Sequence, residues 1–338
     1  MYLSISKKIL AWYKNNQREL PWRKFNSQKD REYRVLLSEF MLQQTQVKTA
    51  ISYFNNFYKN INSIRKLSET SNFRVNKLWQ GLGYYRRAKF LLETSRIISH
   101  KYDGRLPQNY DELIKLPGIG DYTAKAILSI AFDKSEIGID GNVERLISRL
   151  FLIENRKEIP KHVDKLKVKK NHSSMMQGIM ELGALICKPK NPLCAECFLQ
   201  KDCKFKKKKI KSIQVHKKTK LKIKKLIALV SIKNKKILLT RRNNFGPLKH
   251  FLNVPLIEKS NNDIAKNLKK NFGRDIQYAK IAKINISISN IKAKIDCIKI
   301  ENLKYYYNHS NFYTYKQLHN NFRSSFLIKI LKEINFIK

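Results

Sequence analysis

Four of the chain's five cysteines lie within residues 187–203, in the segment CKPKNPLCAECFLQKDC. They are separated by six, two and five residues, and they are Cys187, Cys194, Cys197 and Cys203. Zinc sites usually pair two CxxC knuckles across a longer gap. A [4Fe–4S] cube instead accepts four thiolates from one loop that wraps around it. The spacing therefore favours an iron–sulfur site over a zinc site.

Two glycines in LPGIGDYTAKAI, at residues 116–127, form a second candidate site. Gly118 and Gly120 flank one apolar residue between two amphipathic segments, and glycine permits positive φ and close backbone approach. The free amides of such a turn, at a helix N-terminus, can bind a DNA phosphate. The segment is typical of a helix-hairpin-helix, although alone it is also compatible with an ordinary helical turn.

Two carboxylates stand where acid–base chemistry could use them. Glu39 lies in LLSEFMLQQ beside Leu37 and Phe40, and apolar surroundings raise the pKa of a carboxylic acid. Asp140 precedes GNVERL, where aspartate is also a favoured helix N-cap. Taken alone, Glu39 is compatible with an exposed helix carboxylate and Asp140 with a purely structural cap.

These residues need a helical framework, and the apolar spacing predicts one for residues 1–203. Residues 204–225 contain 12 lysines in 22 positions, which predicts a solvated linker that adds sequence-independent attraction to phosphate. Short segments rich in Ile and Val then predict strands, with two helices, in residues 226–338. The sequence therefore predicts a multidomain protein with an all-α first domain and an α+β second domain.

The charge of the chain indicates its class of partner. Its 338 residues carry a formal net charge of +44. Abundant Lys, Ile and Asn indicate a biased composition, which inflates this charge without accounting for all of it, so nucleic acid is the leading partner. The sequence contains no run of about 18 apolar residues, so we expect no membrane span. The amphipathic N-terminus lacks a secretory signal, and clustered cysteines without one favour metal over disulfides.

The motifs together resemble a known family. LPGIGDYTA, IDGNVERLISRL and the C-x6-C-x2-C-x5-C loop are similar to the helix-hairpin-helix DNA glycosylases with an iron–sulfur loop, which include the endonuclease III and MutY types. SEFMLQQTQV and WQGLGYYRRAKFL resemble the MutY-type adenine DNA glycosylases specifically. The resemblance covers nearly all of residues 1–203. It implies a helical glycosylase domain with a [4Fe–4S] cluster in the loop 187–203, ordering a basic loop against DNA.

The resemblance also implies roles for the two acids. Glu39 is expected to protonate adenine at N7, and Asp140 to stabilise the cationic sugar or trap it covalently. Asn142 and Tyr122 match family positions that line the sugar. Relatives with lyase activity carry a lysine where Tyr122 stands, and a phenol cannot form the imine that strand cleavage needs. We therefore predict base removal by water without strand cleavage.

Further family positions are expected to hold DNA and the flipped base. Gln44 and either Leu82 or Tyr84 would wedge into the duplex, and Thr45 would touch the orphaned base. Arg18, Arg23 and Glu181 match residues around the flipped adenine. The stretch FNSQKDREYRV is longer than the family pattern, and this departure bears on the placement of the two arginines.

Residues 226–338 stand where MutY-type enzymes carry a MutT/Nudix-like domain that recognises 8-oxoguanine. RNNFGPLKHFLNVPLIE resembles the early strands of that domain, whereas NNDIAKNLKKNFGRD lacks the glutamate-rich Nudix helix that binds Mg²⁺. We therefore predict a degenerate Nudix-like domain without pyrophosphatase activity. ISN at 288–290 aligns with the family's Phe-Ser-His lesion loop, so Ser289 would keep the hydroxyl contact while Asn290 replaces the histidine. The alternative is that Ser289 is an ordinary strand residue.

The predicted function is that of a monofunctional adenine DNA glycosylase acting on adenine opposite 8-oxoguanine or guanine in double-stranded DNA. We expect a monomer in the cytoplasm of a bacterium, associated with the nucleoid. One alternative is an endonuclease III-type oxidised-pyrimidine glycosylase/lyase, and Tyr122 and the second domain argue against it. Another is a non-catalytic iron–sulfur protein that binds nucleic acid, and the presence of both Glu39 and Asp140 argues against that.

Overall fold

A computed structural model describes residues 1–208, 222–241, 245, 252–260, 263–288, 291–301, 303, 310–320 and 325–337. The chain divides into two compact units, one formed by Met1–Val75 with Arg86–Lys217 and the other by Asn76–Tyr85 with Lys218–Lys338. The boundary at Lys217 lies inside the predicted linker. Segment 76–85 groups with the second unit, which no local sequence pattern indicates.

The first unit is helical throughout its described residues. Short 3-10 turns lie at Pro21–Arg23 and Arg156–Glu158. The helices, of which the fifth runs into segment 76–85, are α1 Tyr2–Asn16, α2 Gln28–Leu42, α3 Val47–Asn60, α4 Ile64–Ser68, α5 Asn72–Trp79, α6 Arg86–Lys101, α7 Tyr110–Leu113, α8 Asp121–Phe132, α9 Gly141–Phe151, α10 Ile159–Asp164, α11 His172–Leu185 and α12 Lys204–Lys207.

Helix α2 shows how the sequence sets a helix that carries a site residue. Its N-cap is Ser27, whose side chain accepts a hydrogen bond from the Asp30 amide at 3.1 Å, and this satisfies an amide that the helix itself cannot. Leu36 and Phe40 are fully buried, and each contributes roughly 1.5–3 kcal/mol relative to an exposed side chain. The helix is therefore fixed at its start and along its apolar face, so its C-terminal part is held in place.

Helix α11 runs through the core that α1 and α9 also line. Ile9, Leu146, Ile147, Met176 and Leu182 are all buried in one apolar cluster. Gly178 lets α1 approach, since a Cβ atom there would lie 3.0 Å from Ile9 Cγ2. The side chains of α11 therefore have fixed positions relative to α1 and α9, which matters below because α11 contributes to two clusters of site residues.

The second unit contains two sheets in its described residues. One has the strand order β4-β1-β6-β5, with β1 and β6 parallel and the other pairs antiparallel, and the other has the order β2-β3-β7. The elements are β1 Lys222–Val230, β2 Ile232–Lys233, β3 Lys236–Thr240, β4 Leu256–Glu258, α13 Ile264–Phe272, β5 Ala279–Ile288, β6 Ile291–Lys299, β7 Ser310–Thr314, α14 Tyr315–Asn320 and α15 Ser325–Glu333. The prediction of a helical region followed by a region with β-sheets is confirmed.

Strand β1 separates the two apolar clusters of this unit. Leu226 and Ala228 belong to one cluster, and Ile227 and Leu229 to the other, as alternating side chains of one strand must. Cys297 is fully buried in the first cluster. None of the described helices is both long and apolar enough to cross a bilayer.

Candidate active site

Glu39 is a buried acid near the end of α2. Only 5 % of the surface of this residue is exposed to solvent. Burial raises the pKa of Glu39 to about 8 and the negative charge of Asp140 adds to this, whereas a hydrogen bond from Tyr122 acts in the opposite direction. Glu39 is therefore half-protonated near pH 8 and mostly protonated at neutral pH, as a general acid must be.

Asp140 is the N-cap of α9 and is fixed by three hydrogen bonds. Its Oδ1 accepts from the amides of Asn142 and Val143 at 2.9 and 2.8 Å, and its Oδ2 accepts from Asn142 Nδ2 at 2.9 Å. Hydrogen bonds from amides stabilise the charged form of a carboxylate. Asp140 is thus a positioned anion facing a buried acid, and it keeps the structural role of a cap as well.

Tyr122 and Asn142 complete this group. The Tyr122 hydroxyl lies 3.3 Å from Met180 Sδ, and burial, with the charges of Glu39 and Asp140, holds the pKa of Tyr122 well above its usual value. Asn142 Oδ1 accepts from Arg145 Nη2 at 2.9 Å. The four predicted catalytic residues therefore lie together, with Tyr122 as a neutral phenol that hydrogen-bonds Glu39.

A second cluster surrounds Glu181, the residue after Met180 on α11. Glu181 is 1 % exposed and lies 2.7 Å from Arg23 Nη2 and 3.2 Å from Arg18 Nε. These contacts are ion pairs in which, among the described residues, Arg18 Nε and Glu181 Oε1 lack hydrogen-bond alignment. The hydroxyl of Tyr13, 3 % exposed, has no hydrogen-bond partner within the described part of the chain, and the charges of Arg23, Glu181 and Arg18 all act on it. The Tyr13 hydroxyl thus retains hydrogen-bonding capacity beside a buried ion pair.

The hairpin before α8 has the geometry that its glycines predict. Gly118 has a φ of +80°, and a Cβ atom there would lie 2.8 Å from Phe40 Cε1. Gly120 is the N-cap of α8 and is exposed, with nothing within 4 Å of a Cβ position. Within the described residues, the amides of Gly118 and Gly120 have no acceptor. They are available to an external anion such as a phosphate.

The turn after α2 presents Gln44 to solvent. Gln44 is exposed and has a φ of +58°, a left-handed conformation that non-glycine residues seldom adopt. Thr45 is half-buried beside it. In segment 76–85, Leu82 is buried whereas Tyr84 is exposed and has a φ of +47°. Ser289 lies outside the described residues.

The four clustered cysteines line one cavity, together with Leu146, Arg149 and Phe205 among others. Each is partly buried and none is in a disulfide. No group of His, Cys, Asp or Glu in the described residues is arranged to hold a single metal ion. A four-iron cube spreads its thiolate ligands over separate corners, so thiols around a shared cavity fit such a cluster better than one zinc ion.

Two arginines of α9 bind this loop, and one of them also contacts the acid site. Arg145 Nε donates to the Cys187 carbonyl at 2.8 Å while its Nη2 contacts Asn142. Arg149 Nη1 lies 3.4 Å from Cys187 Sγ and donates to the Lys188 carbonyl at 2.7 Å. The segment that begins at Cys187 is therefore connected to Asp140 through Arg145 and Asn142.

Comparison with known proteins places this geometry in a family. Residues 37–169 match the HhH-GPD superfamily of base excision DNA repair proteins. The adenine DNA glycosylase of Buchnera aphidicola subsp. Schizaphis graminum is 40 % identical over 237 residues, which are 68 % of this chain and 67 % of the relative. That of Buchnera aphidicola subsp. Baizongia pistaciae is 36 % identical over 297 residues, 85 % of this chain and 81 % of the relative. The chain belongs to the adenine DNA glycosylase family.

Solved structures agree with the family at the level of the helical unit. The structure of a thermostable thymine-DNA glycosylase matches with a TM-score of 0.55 and 26 % identity, covering 61 % of this chain and 97 % of the other. As a DNA N-glycosylase of base excision repair, this member of the family needs an acid for the leaving base and a carboxylate for the sugar. Glu39 and Asp140 have the matching environments.

Three residues of this glycosylase that contact its site are not indicated by local sequence. Tyr13 lies at the Glu181 cluster, Arg145 joins Asn142 to Cys187, and Arg87 binds the end of α2. Tyr13 follows Trp12 in an amphipathic segment, and its local sequence indicates an ordinary core residue. Arg145 is four residues before Arg149 on α9, so only the i, i+4 spacing could have suggested that both face the cysteine loop.

Proposed function

We propose that this glycosylase hydrolyses the N-glycosidic bond of adenine mispaired with 8-oxoguanine or guanine in double-stranded DNA. The observation that carries the proposal is the pair of unlike carboxylates. Glu39 is buried with a pKa of about 8, which the negative charge of Asp140 helps to raise, whereas Asp140 is fixed by three hydrogen bonds at the start of α9. Two carboxyl groups in such different environments serve as acid and as electrostatic stabiliser.

The reaction follows from these roles. Glu39 donates its proton to N7 of the flipped adenine while the bond from C1′ to N9 breaks, so that neutral adenine leaves. The positive charge that develops on the sugar is stabilised by Asp140, either as an ion pair or as a transient covalent bond to C1′. Water then adds to C1′, loses a proton to a carboxylate and leaves an abasic site.

Tyr122 supports simple hydrolysis rather than strand cleavage. A lyase needs an amine that attacks C1′ and forms a Schiff base. Tyr122 hydrogen-bonds Glu39, and its raised pKa keeps it a neutral phenol. The β-elimination that follows imine formation therefore has no starting point at this position.

The Glu181 cluster is the proposed pocket for the base. Glu181 accepts hydrogen bonds, and Arg18 and Arg23 donate them, which matches the mixed donor and acceptor edge of adenine. The buried Tyr13 hydroxyl, which has no hydrogen-bond partner among the described residues, supports a polar ligand beside this ion pair. Met180 and Glu181 are neighbours on α11, so the acid site and this cluster are adjacent.

The proposed DNA contacts lie on turns. The amides of Gly118 and Gly120 would bind a phosphate, and Gln44 and Thr45 would enter the duplex at the flipped base. Because Tyr84 is exposed and Leu82 is buried, Tyr84 rather than Leu82 is the proposed aromatic wedge.

The four cysteines of residues 187–203 are proposed to hold a [4Fe–4S] cluster, which would cross-link the loop that carries the exposed Lys190 and Lys201. The cluster would take no part in breaking the glycosidic bond, because Glu39 and Asp140 supply that chemistry. Replacing Cys197 by serine is expected to reduce DNA affinity more than the rate from the bound state. Full DNA binding by this variant without any cluster would contradict a role in binding.

The second unit is proposed to be a degenerate Nudix-like domain that recognises 8-oxoguanine. Its α+β architecture supports this, as does α13, whose sequence IAKNLKKNF contains no acidic residue for Mg²⁺. Ser289 remains the proposed lesion contact on sequence grounds. We also propose a monomer located at the nucleoid in the bacterial cytoplasm.

One assay tests the activity and its alternatives. A duplex with a single 8-oxoguanine:adenine pair is incubated with excess enzyme and then treated with alkali, and we expect cleavage at the adenine only after alkali. Cleavage before alkali, or efficient borohydride trapping, would indicate an endonuclease III-type lyase. Binding without any release of adenine in a single turnover would indicate a non-catalytic protein.

A further inference from the structure

Arg87 is a buried cation in the first turn of α6, where a helix dipole disfavours positive charge. It is 6 % exposed. Its Nη1 donates to the carbonyls of Phe40, Met41 and Gln43, the first two at 3.0 and 2.7 Å. Its Nη2 lies 3.0 Å from Thr45 Oγ1. The guanidinium therefore binds the end of another helix and the turn that follows it.

The bound carbonyls are those that a helix leaves without partners. Phe40 and Met41 lie in the last turn of α2, and Gln43 is its C-cap. The last four carbonyls of a helix have no amide to bind within the helix, and a cation there also suits the dipole. Arg87 thus closes α2 and binds the turn that follows it with one planar group.

This turn carries the residue proposed to enter DNA. Gln44 stands between Gln43 and Thr45, both held by Arg87, and its φ of +58° is costly unless neighbouring contacts enforce it. Gln43 Nε2 also donates to the Gly118 carbonyl at 3.2 Å, which joins the turn to the hairpin. Glu39 lies one residue before Phe40 on the same helix. Arg87 therefore binds both the end of the helix that carries Glu39 and the turn that carries Gln44.

We propose that Arg87 is a positioning residue for strand opening: it holds the turn of residues 43–45 so that Gln44 enters the duplex as the adenine leaves it. The proposal rests on the proposed function, since it assigns Gln44 to the opened base pair. Arg87 does not contact the base or the sugar. It acts through the turn, in the step before the bond is broken.

The test separates base flipping from chemistry. Arg87→Lys and Arg87→Ala are compared with wild type at saturating enzyme on an 8-oxoguanine:adenine duplex, and on the same duplex with 2-aminopurine in place of adenine. The first gives the single-turnover rate and the second a fluorescence increase when the base leaves the stack. Arg86→Lys is the matched control, because Arg86 is the exposed neighbour on α6 and its guanidinium stacks on the Phe90 ring.

We expect both Arg87 variants to lose roughly tenfold to a hundredfold in rate, the usual cost of a misplaced group, and to lose the fluorescence increase in parallel. Arg86→Lys should match wild type in both. A lower rate with a full fluorescence increase would overturn the proposal, as would an unchanged rate. If Arg87→Ala does not fold, Arg87→Lys decides by the same criteria. A wild-type enzyme that releases no adenine would instead contradict the proposed function.

Discussion

At the scale of single residues, the candidate site depends on giving two carboxylates opposite properties. Glu39 is buried, and burial is the largest influence on its pKa. Asp140 receives two amides at the start of a helix, where the dipole also favours an anion. Because the two acids face each other, ionising Asp140 helps to keep Glu39 protonated.

The pH dependence of the rate follows from Glu39. We expect the single-turnover rate to be level near neutral pH and to fall about tenfold for each pH unit above about 8, since Glu39 must be protonated to donate and its pKa is about 8. Glu39→Gln should lose at least roughly a hundredfold in rate and retain DNA binding. A rate that stays constant between pH 7 and pH 10 would show that another group supplies the proton.

The same raised pKa means that Glu39 lowers the free energy of unfolding once the pH is high enough to ionise it. An unfolded glutamate ionises near 4.5, whereas folded Glu39 ionises near 8, so its contribution is fully favourable below pH 4.5 and is lost as pH rises towards 8. Glutamine does not ionise. Glu39→Gln should therefore raise the free energy of unfolding at pH 8, by an amount on the order of a few kcal/mol, and much less at pH 5. Thermal unfolding at both pH values measures this, with the exposed Glu19→Gln as the control; equal gains at both would contradict it.

Local sequence predicts part of this site and misses the rest for a physical reason. LLSEFML predicts a buried Glu39 and the position before GNVERL predicts the cap at Asp140, because both depend on neighbours in sequence. Arg87 contacts residues that lie 42 to 47 positions earlier in the sequence. Tyr13 and Glu181 lie in the same cluster although most of the sequence of the helical unit separates them. Such contacts depend on how helices pack, which apolar spacing does not determine.

At the scale of elements, the hairpin before α8 combines two glycines with different duties. Gly118 is needed for the fold, since a side chain there meets Phe40 and Phe90 at a positive φ. Gly120 is exposed at the N-terminus of α8, where a Cβ atom would meet nothing within 4 Å. The fold therefore does not require a glycine there, but a ligand that approaches the backbone would. The pattern LPGIG does not distinguish these duties. The packing of α2 and α6 against the hairpin does.

Alanine substitutions should separate the two glycines. Gly118→Ala is expected to lower the free energy of unfolding by about 1–3 kcal/mol through strain and overpacking. Gly120→Ala should cost less than about 1 kcal/mol yet weaken DNA binding roughly tenfold, because its methyl group would displace a phosphate from the amides. Urea unfolding and fluorescence anisotropy with duplex DNA measure the two effects. Unchanged affinity for Gly120→Ala would show that this hairpin does not bind phosphate.

The elements themselves were predicted unevenly. Helices with long apolar faces, such as α8 and α9, follow from their spacing and caps, and the change to strands after the lysine-rich segment follows from Ile and Val content. The strand order β4-β1-β6-β5 was not predictable, because the parallel pairing of β1 with β6 joins segments about 70 residues apart. Sequence alternation identifies a strand and its buried face but not its neighbour.

At the scale of the whole molecule, the formal net charge of +44 raises the question of which lysines contact DNA and which only attract it. One sheet face of the second unit is a specific candidate. Lys283 on β5 and Lys292 and Lys294 on β6 are exposed on the same side of the sheet. Lys225 on β1 is in register with Lys294, and neighbouring like charges repel each other, although Lys283 lies opposite Asp296. A polyanion bound to this face would relieve that repulsion.

The dependence of DNA affinity on salt distinguishes contact from general attraction. Each lysine that neutralises a phosphate contributes about 0.9 to the slope of log affinity against log salt concentration. Replacing Lys283, Lys292 and Lys294 together by glutamine should therefore reduce the slope by up to about 2.7 if all three contact phosphates. The matched control replaces Lys233, Lys235 and Lys236, which are exposed around the β2–β3 turn, with the same change in net charge. Anisotropy titrations across a range of salt concentrations give both slopes, and equal reductions would assign the effect to net charge rather than to the sheet face.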